Sequence, residues 1–256
     1  MLIDTHCHLD DTRYFEDIEE VLARSFEAGV NGFIVPGAGP KDLPRAIELS
    51  KEYENVYFAV GVHPYHAAEF CEKDFEMSTN PKCVAIGECG LDYYRLPDDG
   101  EGKQKEKTLQ KDVFVAQIEI AKKLDKPLIV HIRDASEDSK KILIDTGAGK
   151  VGGVLHCYNA DSNLLELVKH GFYFGIGGVL TFSNAKKLVE VLPKIPLERL
   201  LFETDAPYLT PMPHRGKRNE PSYMPLIVKK ASELLGVSKE RLCEISTENA
   251  KRLFNI

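Results

Sequence analysis

Two histidines one residue apart, His6 and His8, follow the first apolar pair of the chain, Leu2 and Ile3. In extended backbone, side chains two residues apart stand on the same side, so both imidazoles face one way and Cys7 faces the other. Neutral imidazole is the commonest metal-binding side chain, and two presented together form a chelate. Later apolar runs close in the same manner. His63 ends Val56-Tyr-Phe-Ala-Val-Gly-Val-His63, Glu88 ends Cys83-Val-Ala-Ile-Gly-Glu88, and His131 ends Pro127-Leu-Ile-Val-His131. His156 ends residues 151–156, and Asp205 ends Leu200-Leu-Phe-Glu-Thr-Asp205.

The imidazoles of His6, His8, His131 and His156, with the carboxylates of Glu88 and Asp205, suffice for two divalent cations. A carboxylate bridges two ions where a neutral imidazole does not, and Glu88, midway along the series, is the bridge candidate. Two ions about 3.5 to 4 Å apart clamp the attacking and leaving oxygens of a hydrolysis and make a bound water more acidic. His63 brings no second ligand and is open between a metal contact and a hydrogen bond to substrate. The imidazole-rich set favours zinc, iron or manganese over magnesium by ligand softness.

These residues need elements that bring them together. Apolar runs alternate with amphipathic patterns along the chain, with helices expected near 15–28, 41–52, 66–77, 136–145 and 185–192, a longer one whose apolar face includes Val113, Ile120 and Leu124, and one starting at Asp161 or Ser162. Residues 95–107, rich in charge with Pro97 and Gly100, read as an exposed loop. The eight strand runs are apolar on consecutive residues, as strands covered on both faces must be. Eight strand-then-helix repeats without a linker-like break predict an α/β fold, a single (β/α)8 TIM barrel spanning residues 1–256, with extra C-terminal helices from Pro221. All strand ends then open on one face. A doubly wound open sheet is the alternative, but its glycine-rich phosphate loops are absent from every strand end.

With 40 acidic and 33 basic residues, the formal charge is −7, and the molecule as a whole repels polyanions. No stretch has the continuous apolar length of a membrane span, and six scattered cysteines without a C-x-x-C pair read as reduced thiols. The expectation is a cytoplasmic protein with no membrane association and no obligate protein partner.

Taken together, Leu2-Ile-Asp-Thr-His-Cys-His-Leu-Asp10, Gly61-Val-His-Pro64, Gly87-Glu-Cys-Gly-Leu-Asp-Tyr-Tyr94, Pro127-Leu-Ile-Val-His-Ile-Arg-Asp-Ala135, Leu200-Leu-Phe-Glu-Thr-Asp-Ala-Pro-Tyr208 and Arg215-Gly-Lys-Arg-Asn-Glu-Pro221 resemble the TatD family of metal-dependent deoxyribonucleases, within the amidohydrolase-like barrels. The segments lie in the family's order along nearly the whole chain. The resemblance implies one cation held by His6, His8, Glu88 and Asp205, a second held by Glu88, His131 and His156, and magnesium-supported nuclease activity. It also marks a departure: the family's usual His-Cys-Phe-Ser-Gly after the sixth strand is His156-Cys-Tyr-Asn-Ala160 here.

The expected reaction is phosphodiester hydrolysis on single-stranded ends or short oligonucleotides of DNA, supported by two divalent cations (magnesium, manganese or zinc). Asp205, as ligand and base, orients the water and takes its proton, and Glu88 is its catalytic companion. Glu203 is open between assisting at substrate and orienting a ligand. Arg133, two residues past His131, has the planar fork that suits a phosphate oxygen, with a surface ion pair as the alternative. Asn219, with Arg215, Lys217 and Arg218, belongs to a loop expected to overhang the same mouth and touch substrate. Tyr65, Tyr93, Tyr94 and Tyr208 are open between stacking on bases and packing the rim. The rival readings are a hydrolase of a small amide, lactone or phosphoester, and a non-catalytic metal- or ligand-binding barrel.

Overall fold

The consecutive apolar runs become strands that each bury both faces, one toward a barrel interior and one toward surrounding helices. The computed structural model describes residues 1–256. Its eight strands are β1 (Leu2–Asp4), β2 (Val30–Val35), β3 (Val56–Val60), β4 (Cys83–Asp92), β5 (Leu128–Arg133), β6 (Gly153–Leu155), β7 (Phe172–Ile176) and β8 (Leu200–Phe202). They lie in sequence order, and every neighbouring pair is parallel. The seam between β8 and β1 is joined just past the strand ends. There Asp205 N–H donates to His6 O (2.8 Å) and His8 N–H donates to Ala206 O (2.7 Å).

The chain is a TIM barrel, ringed by α1 (Ile18–Glu27), α2 (Leu43–Glu52), α3 (Gly100–Leu124), α4 (Ser136–Asp145), α5 (Lys186–Val191), α6 (Met224–Leu235) and α7 (Lys239–Phe254). The core has two parts. A large shell includes Phe33, Phe58, Phe114, Phe172 and Phe174 between strands and helices. A smaller cluster takes Ile3, Ile34, Ala59, Val84, Ala85, Ile129, Val154, Tyr173 and Leu201, at least one side chain from each strand, and is joined by Ala250 and Phe254 of α7. α7 packs on β1 and β8, and the inner cluster fills the lumen below the strand ends.

Two expectations are corrected. Residues 95–107 are not one exposed loop: α3 begins at Gly100, where the Asp99 side chain accepts the Gly102 N–H (2.6 Å) and caps the helix. The helix expected over 66–77 is two 3-10 segments, Pro64–Glu69 and Glu72–Thr79.

Candidate metal centre

Alternation along the strands delivers most of the site. In β5, Ile129 faces the lumen, and so does His131 two residues on; Val154 and His156 repeat the relation at β6, and Leu201 and Glu203 at β8, while Asp205 follows at φ +55. Two strands break the rule. Glu88 stands three residues past Ala85, and the β4 register shifts between Ile86 and Cys89. His6 likewise stands three past Ile3, in chain that has already left β1.

Glycines make the room for Glu88. A Cβ on Gly61 would sit 2.3 Å from the Gly87 carbonyl carbon, so only bare backbone lets β3 approach β4 there. Gly37 N–H donates to Gly87 O (2.9 Å) and Glu88 N–H donates to Gly37 O (2.8 Å), which fixes the carboxylate at the centre.

That carboxylate meets four imidazoles: His131 Nδ1 at 2.8 Å, His156 Nε2 at 3.3 Å, His6 Nε2 at 3.4 Å and His63 Nε2 at 3.6 Å. Asp205 Oδ1 lies 3.6 Å from His8 Nε2 and 3.7 Å from His6 Nε2. The His6 and His156 rings stack at 3.6 Å. Donor atoms of His6, His8 and Asp205 all lie within 4.8 Å of one another, as do those of Glu88, His131 and His156. Six side chains spread over two hundred positions therefore converge in two adjoining groups.

A family model described as TatD related DNase matches residues 3–255. The chain belongs to the TatD family. It is 44% identical over 261 residues to the uncharacterized metal-dependent hydrolase YabD of Bacillus subtilis, covering 100% of each chain. It is 35% identical to the 3'-5' ssDNA/RNA exonuclease TatD of Escherichia coli, covering 100% of this chain and 99% of that one. The crystal structure of the TatD homologue YjjV from Escherichia coli superposes with a TM-score of 0.89 at 30% identity, covering 100% of this chain and 98% of that chain. This chain is accordingly a metal-dependent hydrolase of the TatD type.

The TatD site passes a chemical test for cations. His6 Nδ1 and Nε2, His156 Nδ1 and Glu203 Oε2 are buried without a hydrogen-bond partner, although such atoms are nearly always satisfied in a folded protein. Borderline-soft imidazoles beside hard carboxylates are a donor set for zinc or manganese as well as magnesium. Burial works to raise the Glu88 carboxyl, but His156, His63 and His131 outweigh it and hold it well below the ordinary carboxylate value. Burial lowers His63 to about 4, leaving it neutral, and lowers His6. At His8 burial is overcome by Asp205, which raises the imidazole to about 9. At His156 it is overcome by Glu88 and Glu203, which push that imidazole well up. An imidazole that ligates a cation must first surrender this proton.

Asn219, expected to touch substrate, does something else in this TatD chain, and Glu203 takes the orienting position of the two left open for it. Asn219 is wholly buried, and its amide donates to Thr204 O (2.9 Å) and Tyr208 O (2.6 Å) while its oxygen accepts from Glu220 N (2.9 Å). With every polar atom taken, it clamps the loop that carries Asp205. Glu203, also fully buried, accepts the Cys157 N–H (2.5 Å) and lies 3.2 Å from His156 Nδ1, so it is placed to orient that ring. The basic loop is divided as well. Arg218 turns away to pair with Asp17, whereas Arg215 lies over the Phe182 ring at 3.8 Å. Arg133 is exposed at the rim, 3.7 Å from the Tyr94 ring, without a carboxylate partner.

One participant goes unnamed in the sequence reading. Asp92, 1% exposed, lies 3.0 Å from His131 Nε2, so His131 is held between Glu88 and Asp92. Its signal was present: Asp92 stands four residues past Glu88, an even step along one strand.

Proposed function

We propose that this chain hydrolyses phosphodiester bonds at single-stranded nucleic-acid ends, with two divalent cations. His6, His8, Asp205 and Glu88 would hold one, and Glu88, His131 and His156 the other. The observation that carries the reading is the Glu88 carboxylate within 3.6 Å of four imidazoles, where it would be shared by both ligand groups. The 35% identity to a protein named as a 3'-5' ssDNA/RNA exonuclease supports the substrate class. When bound, such cations stabilise charge on a phosphate and make water a better nucleophile.

The chain's own groups supply the rest. Asp205, its side chain 15% exposed, is the carboxylate of the cluster that also reaches the mouth, so it orients the attacking water and accepts its proton. His63 Nδ1 accepts the Tyr65 N–H (3.1 Å), which leaves the proton on Nε2. That tautomer donates to a phosphate oxygen, which favours substrate contact over metal contact for His63. Arg133 offers its guanidinium edge from the rim.

The test is a comparison of chelated and reconstituted protein on single-stranded DNA, single-stranded RNA and a panel of small esters and amides, with metal content measured alongside. Chelation should abolish nuclease activity, and restoration should follow two equivalents of cation per chain. Turnover of the small esters or amides with none on either nucleic acid would overturn the reading.

A further inference from the structure

The arginines divide sharply. Of ten in the chain, Arg13, Arg24, Arg45, Arg218 and Arg241 pair with carboxylates. Arg199 donates to Gly171 O and Arg252 to Asn249 Oδ1. The remaining three, Arg95, Arg133 and Arg215, are exposed, and their guanidinium groups make neither an ion pair nor a hydrogen bond. This happens in a molecule with 40 carboxylate side chains for 33 cationic ones. All three stand past or at the C-terminal ends of strands, around the mouth that holds the metal centre. Each lies over an aromatic ring: Arg95 on Tyr65 at 5.3 Å, Arg133 on Tyr94 at 3.7 Å and Arg215 on Phe182 at 3.8 Å.

An arginine laid on a ring is steadied by the ring's negative face while its N–H edge stays free. The free edge takes a phosphate, and Tyr94 (59% exposed) and Tyr65 (39% exposed) leave ring surface for a base. Position adds a direction. Arg95 and Arg133 belong to the ends of β4 and β5, whereas Arg215 follows β8, four strands away from β4 in an eight-stranded order. The cluster of Glu88 and its histidines lies between them.

The geometry points to a single-stranded polynucleotide lying across the mouth, gripped at separate phosphates by Arg95 and Arg133 on one flank and by Arg215 on the other. This rests on the nuclease reading and deepens it: the enzyme holds the strand at phosphates beyond the one it cleaves. A small phosphoester would fill one flank only. It also reconciles the acidic whole with a polyanionic substrate, because the three arginines that have neither a carboxylate nor a hydrogen-bond partner all stand at the mouth.

The test uses fluorescein-labelled dT12 with phosphorothioate linkages, which resist hydrolysis, and the full-length protein as purified. Anisotropy titrations over a range of salt should show Arg133→Ala and Arg215→Ala each binding about tenfold more weakly. Each should flatten the slope of log affinity against log salt by about 0.7, one phosphate contact on a single strand. The double variant should combine both losses, and Arg252→Ala on the far side should match wild type. Wild-type affinity and slope in both single variants, failure of wild type to bind the probe, or displacement of the probe by dTMP at the same phosphate concentration as by unlabelled dT12 each overturn the proposal. Cleavage of unmodified dT12 by metal-loaded wild type is scored separately. Cleavage with unaffected variants removes the rim and leaves the nuclease; weakened variants without cleavage remove the nuclease and leave the rim.

Discussion

At the lower end of the lumen, Ile3, Ile34, Ala59, Ala85, Ile129, Val154, Tyr173 and Leu201 meet under Phe254, every strand contributing. A few residues further along the same strands, His6, Glu88, His156 and Glu203 are equally buried or nearly so, yet several of their polar atoms have no hydrogen-bond partner. The lower layer gains stability from removing apolar surface from water. The upper layer concentrates charge where water is scarce, an arrangement that an apolar cluster of similar volume would often match or exceed in stability. One end holds the barrel together, and the other is held by it.

The largest separation should come from Glu88→Ala. It should lower hydrolysis and the affinity for the second cation by more than about a hundredfold, the upper range for losing even a residue that only supports a ligand. Melting of the chelated protein should change far less than activity does. An intact second binding event by calorimetry would break the comparison at its centre. The mirror experiment is Leu201→Ala, a buried methylene deletion that should cost about 3 kcal/mol of stability in denaturant titration. Cation stoichiometry and activity per folded molecule should persist.

Asp92→Ala tests how far the upper layer extends. Freed of its partner at Nε2, His131 should bind its cation roughly 10- to 100-fold more weakly. Asp92→Asn, which keeps an acceptor, should recover part of that. An equal fall in thermal stability for both variants, without a change in cation affinity, would reassign Asp92 to packing.

The pH response should set the metal-free and the metal-loaded upper layer apart in sign. His8 rises from an ordinary 6.5 to about 9 through Asp205, so its contribution to the metal-free fold is complete below 6.5 and is lost as pH climbs through 9. Cation affinity should rise over the same window, because fewer protons need displacing. Melting temperatures of chelated and loaded protein measured from pH 6.5 to 9 should therefore diverge. The smallest effect concerns the departure from the family pattern after β6. Ala160 sits at φ +63, where the family's usual glycine is unstrained, and Ala160→Gly should stabilise by about 0.5 kcal/mol once the unfolded chain's added freedom is subtracted.

Several elements were legible because their signals are local. α4 spans Ser136–Asp145 as its amphipathic pattern predicts, and the eight apolar runs became eight strands. The start of α3 was hidden by Pro97, Gly100 and Gly102, which mark a break unless the Asp99 cap is weighed against them. Asn219 was misassigned for a different reason. An amide in a basic loop reads as a surface contact, and only the folded loop shows that its three hydrogen bonds are spent on backbone.

The sequence by itself determined which residue types end the strands and, through the period-2 alternation of extended chain, the inward aim of His131, His156 and Glu203; Asp205, past β8 at φ +55, is turned in by the fold. It could not determine the phase change in β4 that turns Glu88 inward three residues past Ala85. That shift depends on glycine backbone from β2, β3 and β4 meeting at Gly37, Gly61 and Gly87. Nor could it show which arginines stay free, since that depends on where the carboxylates of other loops finish. Alternation is a property of one strand, whereas a carboxylate set among four imidazoles is a property of eight strands closed into a ring.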